Sequence, residues 1–92
     1  MSNDLNQILT ERGERYGKFV GHAAVSQHLK AVIRQNVILQ NKTLEDDQTE
    51  ALEMIAHKIA RIINGDHNYA DSWQDIAGYA QLVADRLMGT AR

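Results

Sequence analysis

Ninety-two residues, 43% of them hydrophobic and 24% charged, point to one small folded domain over residues 1–92 and exclude a disordered segment or a two-domain arrangement. A net charge of −2 and a pI near 6.0 exclude a broad basic surface for membranes or long nucleic acid, so an anionic ligand has to be held by a local cluster. Cysteine is absent, which removes disulfides and thiolate metal sites. With no export signal and no apolar run of about 20 residues, the expected location is the cytoplasm of a bacterial host.

The absence of proline and the apolar spacing of three and four residues predict an all-α fold, a small four-helix bundle with one short and three longer helices. The first helix is predicted from about Asn3 to Arg12, with Leu5, Ile8 and Leu9 on one side. Gly13, Gly17 and Gly21 then predict a loop from Gly13 to Gly21. The second helix, His22 to Leu39, carries the stripe Val25, Leu29, Val32, Ile33 and Asn36. Thr43 is the expected cap of the third, with Asp46 returning the bond three residues on. Leu44, Leu52, Ile55, Ile59, Ile62 and Ile63 share its apolar face up to Asn64-Gly65, where a left-handed glycine is expected to end it. The fourth helix is predicted from about Asp71 to Met88, with Asp71 as its cap and Trp73, Ile76, Ala80, Val83 and Leu87 as its main stripe. Asp71, Asp75, Gly78 and Leu82 form a second line on nearly the opposite side. That line needs another surface to face, which predicts a homo-oligomer.

Lys58 and Arg61 have no acidic residue three or four positions upstream on their own helix. An antiparallel hairpin of helices three and four, centred near Asp66, sets Lys58 level with Asp75 and Arg61 level with Asp71. Two interhelical salt bridges are one reading of these residues. The other is a phosphate or metal–phosphate site, in which carboxylates four apart on one face coordinate magnesium and the bases neutralise phosphate oxygens. Glu50 and Glu53 lie upstream on the same polar side, so Glu50, Glu53, Asp71 and Asp75 form the candidate metal set. In the first glycine-rich stretch, Arg15 and Lys18 supply charge, and Tyr16 and Phe19 either supply faces on which a base stacks or pin the loop onto the bundle. The candidate ligand residues are therefore Arg15, Tyr16, Lys18, Lys58, Arg61, Asp71 and Asp75. No nucleophile motif or phosphate-loop pattern occurs.

The runs Lys58-Ile59-Ala60-Arg61 and Asp71-Ser72-Trp73-Gln74-Asp75-Ile76-Ala77-Gly78-Tyr79, together with Arg15-Tyr16-Gly17, resemble a family of small phage and prophage proteins of unassigned function. That family is similar to nucleotide-modification-associated domains and, more distantly, to MazG-like all-α nucleoside triphosphate pyrophosphohydrolases. The resemblance runs from Glu11 to Leu87. It implies a nucleotide or other phosphate ligand, with magnesium as the cofactor if the protein is an enzyme. MazG-like enzymes hold the metal with an E-E-x-x-E and an E-x-x-D pattern. Here Thr49 stands in place of the first glutamate before Glu50 and Glu53, and Asp71 and Asp75 are four apart rather than three. The expected function is a nucleotide-directed accessory protein, either a magnesium-dependent pyrophosphohydrolase or a non-catalytic binder. The alternative is a non-enzymatic helical oligomer acting as a protein-interaction module.

Overall fold

The computed structural model describes residues 2–90. Four helices make up the fold: α1 (Ser2–Tyr16), α2 (Phe19–Leu39), α3 (Asp46–Asn64) and α4 (Ala70–Leu87). The first helix is longer than its glycine content predicts. It runs through Gly13, whose missing Cβ faces open space, and α2 runs through Gly21, so the predicted loop shrinks to Gly17 and Lys18. Gly17 makes that corner possible because its φ of +77° is strained for any residue with a Cβ.

Local chemistry explains the other ends. The α2 terminus closes as a Schellman motif around Asn41 (φ +53°), with Lys42 N–H donating to Val37 O and Asn41 N–H to Ile38 O, both at 3.0 Å. Gly89 (φ +82°) closes α4 in the same way, with Thr90 N–H on Asp85 O at 2.8 Å. The start of α3 corrects the expectation of a Thr43 cap. The N-cap is Glu45, and Gln48 Oε1 accepts the Glu45 backbone N–H at 2.9 Å. Tyr69, rather than Asp71, stands at the N-cap of α4.

Helix α3 is the hub. It touches each of the other helices, whereas α4 packs on α3 alone. A helix flanked on several sides needs small residues for close approach, and the buried apolar positions are Ala51, Ala56, Ala60 and Ile62. The apolar stripe expected on α3 is accordingly rotated, leaving Leu52, Ile59 and Ile63 exposed. On α4 the buried line passes through Ser72 and Asp85, and Trp73 and Leu87 of the expected stripe face outward. Buried Asp85 accepts a bond from Gln81 Nε2 at 2.6 Å on Oδ1. Trp73 keeps its indole N–H satisfied by donating to His67 O at 3.0 Å.

Helices α3 and α4 form the expected antiparallel hairpin. Lys58 Nζ meets Asp75 Oδ2 at 2.9 Å. At the open end, Arg86 grips Asp47 through two bonds of 2.8 and 2.5 Å and lies 3.6 Å from Glu45. Partners that rise on one helix fall on the other, which fixes the register. The Arg86 guanidinium holds the Asp47 carboxyl below the usual carboxylate range. Because the Lys58 side chain is mostly covered, a double-mutant cycle on Lys58→Ala and Asp75→Ala is expected to show coupling of at least about 0.5 kcal/mol in urea unfolding. Strict additivity contradicts a working pair.

Candidate ligand-binding site

The α1–α2 corner is fastened to the C-terminal end of α3. Asn64 Nδ2 donates to Tyr16 O at 2.8 Å and to Lys18 O at 3.0 Å, and the Asp66 N–H donates to Arg15 O at 2.6 Å. The two backbones meet at Gly65, where a Cβ would collide with the main chain of Arg15 and Tyr16. Gly65 has φ −133° and ψ −138°. This corrects the expected left-handed stop: glycine is required here by close approach. Beyond it, Asp66 Oδ1 accepts the Asn68 N–H at 2.9 Å, an Asx turn that leads the chain into α4.

Clamping the corner in this way encloses a cavity of about 470 Å³ between α1, α2 and α3. Arg12, Lys18 and Arg61 bring positive charge to its wall, Tyr16 and Phe19 bring aromatic faces, and His22 and His57 line its inner end beside Leu9. Among the described residues, no carboxylate lines it. The Arg61 guanidinium lies 4.1 Å from the Tyr16 ring centroid, a cation–π contact that fixes both side chains.

The inner end is a histidine pair. His22 Nε2 and His57 Nδ1 are 3.3 Å apart, and the rings meet edge to face at 4.5 Å. His22 is buried, and none of the described groups bonds its Nδ1. Burial first, then the charges of Arg61, Lys30 and Lys58, lowers the pKa of His22. Burial, then His22 and Arg61, pushes His57 down to about 4 from 6.5. Both imidazoles are therefore neutral near pH 7. An unfolded histidine takes up its proton near 6.5, so the unfolded chain binds more protons in the window between about 4 and 6.5. Stability is complete above that window and is lost as pH falls through it. After allowance for solvent screening at this half-exposed edge, the expected loss between pH 7.5 and 5 is about 1–2 kcal/mol. Thermal melts at the two pH values check this, and His57→Gln is expected to flatten the difference.

The structure divides the residues singled out in the sequence. Tyr16, Lys18 and Arg61 come together in the cavity. Arg15 turns away, donating to the Tyr69 hydroxyl and stacking its guanidinium 4.5 Å from the Tyr69 ring centroid. Lys58 and Asp75 pair with each other on the α4 side. Asp71 is exposed on the first turn of α4, and the expected Arg61–Asp71 pairing is replaced by the Arg61–Tyr16 stack, because α3 presents position 61 to the corner rather than to α4. The candidate metal set separates as well. Glu50 lies in a groove with Asp47, Tyr79 and Arg86, Glu53 in another with Ile33, Arg34 and Leu44, and Asp75 is taken by Lys58. Among the described residues, no three histidine or acidic side chains are placed to hold a metal ion, and Glu50, Glu53, Asp71 and Asp75 are not gathered into one cluster.

Sequence reasoning passed over Arg12, His22 and His57. The available signal was that His22 stands three and seven residues before Val25 and Leu29, at the head of the α2 apolar stripe. A polar ring at such a position is held inside by packing. A family model matches residues 1–87. The chain belongs to DUF6378, a family described as a domain of unknown function. No curated protein and no solved structure matches it. Within this DUF6378 domain, no helix among the described residues is long and apolar enough to cross a membrane.

Proposed function

We propose that the protein binds a nucleotide, or a closely related phosphate-bearing aromatic ligand, in the corner cavity and holds it without cleaving it. The observation that carries this reading is the lining, which among the described residues holds three cations and two aromatic faces with no carboxylate. Arginine and lysine neutralise phosphate oxygens, arginine with fixed fork geometry, and an aromatic face takes a base regardless of its identity. The cavity volume lies within the roughly 300–1,000 Å³ of small-molecule sites. The buried His22 ring, whose Nδ1 is bonded by none of the described groups, adds a neutral polar group to the lining. The Lys58–Arg61 and Asp71–Tyr79 runs resemble a family of small phage proteins of unassigned function, and the similarity of that family to nucleotide-modification-associated and, more distantly, MazG-like domains supports the same ligand class. The dispersed carboxylates favour binding over metal-dependent hydrolysis.

Thermal unfolding with a panel of ribo- and deoxynucleotides and inorganic phosphate, with and without magnesium, tests this. A ligand at one hundred times its dissociation constant is expected to stabilise the fold by about 2.7 kcal/mol, without a magnesium requirement, and Lys18→Ala is expected to reduce the shift. Absence of any shift at millimolar nucleotide and phosphate removes the proposal. Magnesium-dependent release of pyrophosphate that Glu53→Gln abolishes overturns the non-cleaving half.

A further inference from the structure

We infer that α1 is a dimerisation arm, pairing antiparallel about a two-fold axis with α1 of a second copy of the chain. The inference is independent of the ligand reading. The chain exposes 6768 Å², whereas a folded monomer of 10.4 kDa exposes about 5,400 Å². Its radius of gyration of 15.4 Å exceeds the roughly 12 Å of a compact domain this long. The surplus, about 1,400 Å², exceeds the roughly 800 Å² that each partner buries in a standard interface.

Helix α1 is the element whose faces are least used. Leu5, Ile8 and Leu9 share one side of it and are 56%, 44% and 54% exposed. Among the described residues of α1, side-chain and backbone bonds to the rest of the fold come only from the last turn, at Arg15 and Tyr16. Fifteen residues of helix in water are marginal without a packed face. The patch continues across the corner, since Leu9 and Phe19 wall the same cavity and Phe19 is 77% exposed.

A second copy is the occupant that suits this surface. Antiparallel pairing of two α1 helices opposes their dipoles favourably, setting the N-terminal end of each against the C-terminal end of the other. An isologous contact covers both apolar stripes at once. It also brings the partner against the α1 wall of the cavity, at Leu9, Arg12 and Gly13, and so narrows the open side.

Sedimentation equilibrium of the full chain from 1 to 500 µM tests the inference. A dimer is expected, and Leu5→Glu with Leu9→Glu is expected to weaken it at least ten-fold with helical circular dichroism retained. Because the chain has no cysteine, Ile8→Cys offers a second readout that survives if the glutamate variant unfolds. Mild oxidation is expected to give a covalent dimer for Ile8→Cys and not for Ile38→Cys, at an exposed residue on the last turns of α2. A monomer throughout the range overturns the inference, as does a dimer indifferent to the glutamates or crosslinking at position 38 in preference to position 8.

Discussion

Gly65→Ala is expected to be the most damaging single-methyl change in the protein. The added carbon has no side chain to push aside, because the atoms it meets are the carbonyl of Arg15 and the main chain of Tyr16. Relief requires the α1–α2 corner to lift off α3, which breaks the Asp66 N–H bond to Arg15 O and both Asn64 Nδ2 bonds. Overpacking alone costs about 1–3 kcal/mol, and each hydrogen bond contributes about 1 kcal/mol. A loss of about 3 kcal/mol or more is expected, lowering Tm by more than about 10 °C in a domain this small. Proteolysis is expected to reach the first twenty residues sooner than in the parent. Gly13→Ala is the matched control. Its Cβ meets nothing within 4 Å in the middle of α1, so it is expected to stabilise by about 0.5–1 kcal/mol. Equal melting temperatures for Gly65→Ala and the parent contradict the close approach at the corner.

Arg61→Ala is expected to carry the largest loss of ligand affinity. Arg61 stands where the cavity, the Tyr16 ring and the histidine pair meet, so its removal takes away a charge and frees the ring on which a base stacks. Charge-assisted hydrogen bonds contribute about 1.5–3 kcal/mol, which predicts an affinity about 10- to 150-fold weaker by calorimetric titration with the tightest nucleotide of the panel. The stability cost is smaller, about 0.5–2 kcal/mol for the cation–π contact. Arg61→Lys keeps the charge without the planar fork and is expected to fall between the two. Lysine fully restoring affinity assigns Arg61 a purely electrostatic role. Unchanged affinity in Arg61→Ala removes the residue from the site. His57 adds a linked expectation. A bound phosphate favours the protonated ring, so His57, which titrates at about 4 in the free protein, is expected to take up a proton on binding as pH falls from about 6.5 toward 4, and this uptake is expected to be absent in His57→Gln.

The sequence by itself determined the helical class, the number of helices and the antiparallel register of α3 and α4. Each depends on local spacing: apolar residues recur at helical intervals, and equal distances from one tight turn set Lys58 opposite Asp75. It did not determine which faces are buried. The Leu and Ile stripe of α3 is the more hydrophobic, yet Ala56 and Ala60 are the innermost positions, because a helix packed on several sides is limited by how closely its neighbours approach rather than by apolar area. Nor were the glycines decided locally. Gly13 and Gly21 read as breaks but lie inside helices: a helix tolerates a propensity deficit of about 1 kcal/mol each, and at Gly21 a Cβ would meet the Asn64 side chain. Only the tertiary structure brought His22, His57 and Arg61 to the Tyr16–Lys18 corner. The bonds that place them join Asn64 and Asp66 to main-chain oxygens nearly fifty residues away, and a backbone carbonyl carries no mark in an amino-acid sequence.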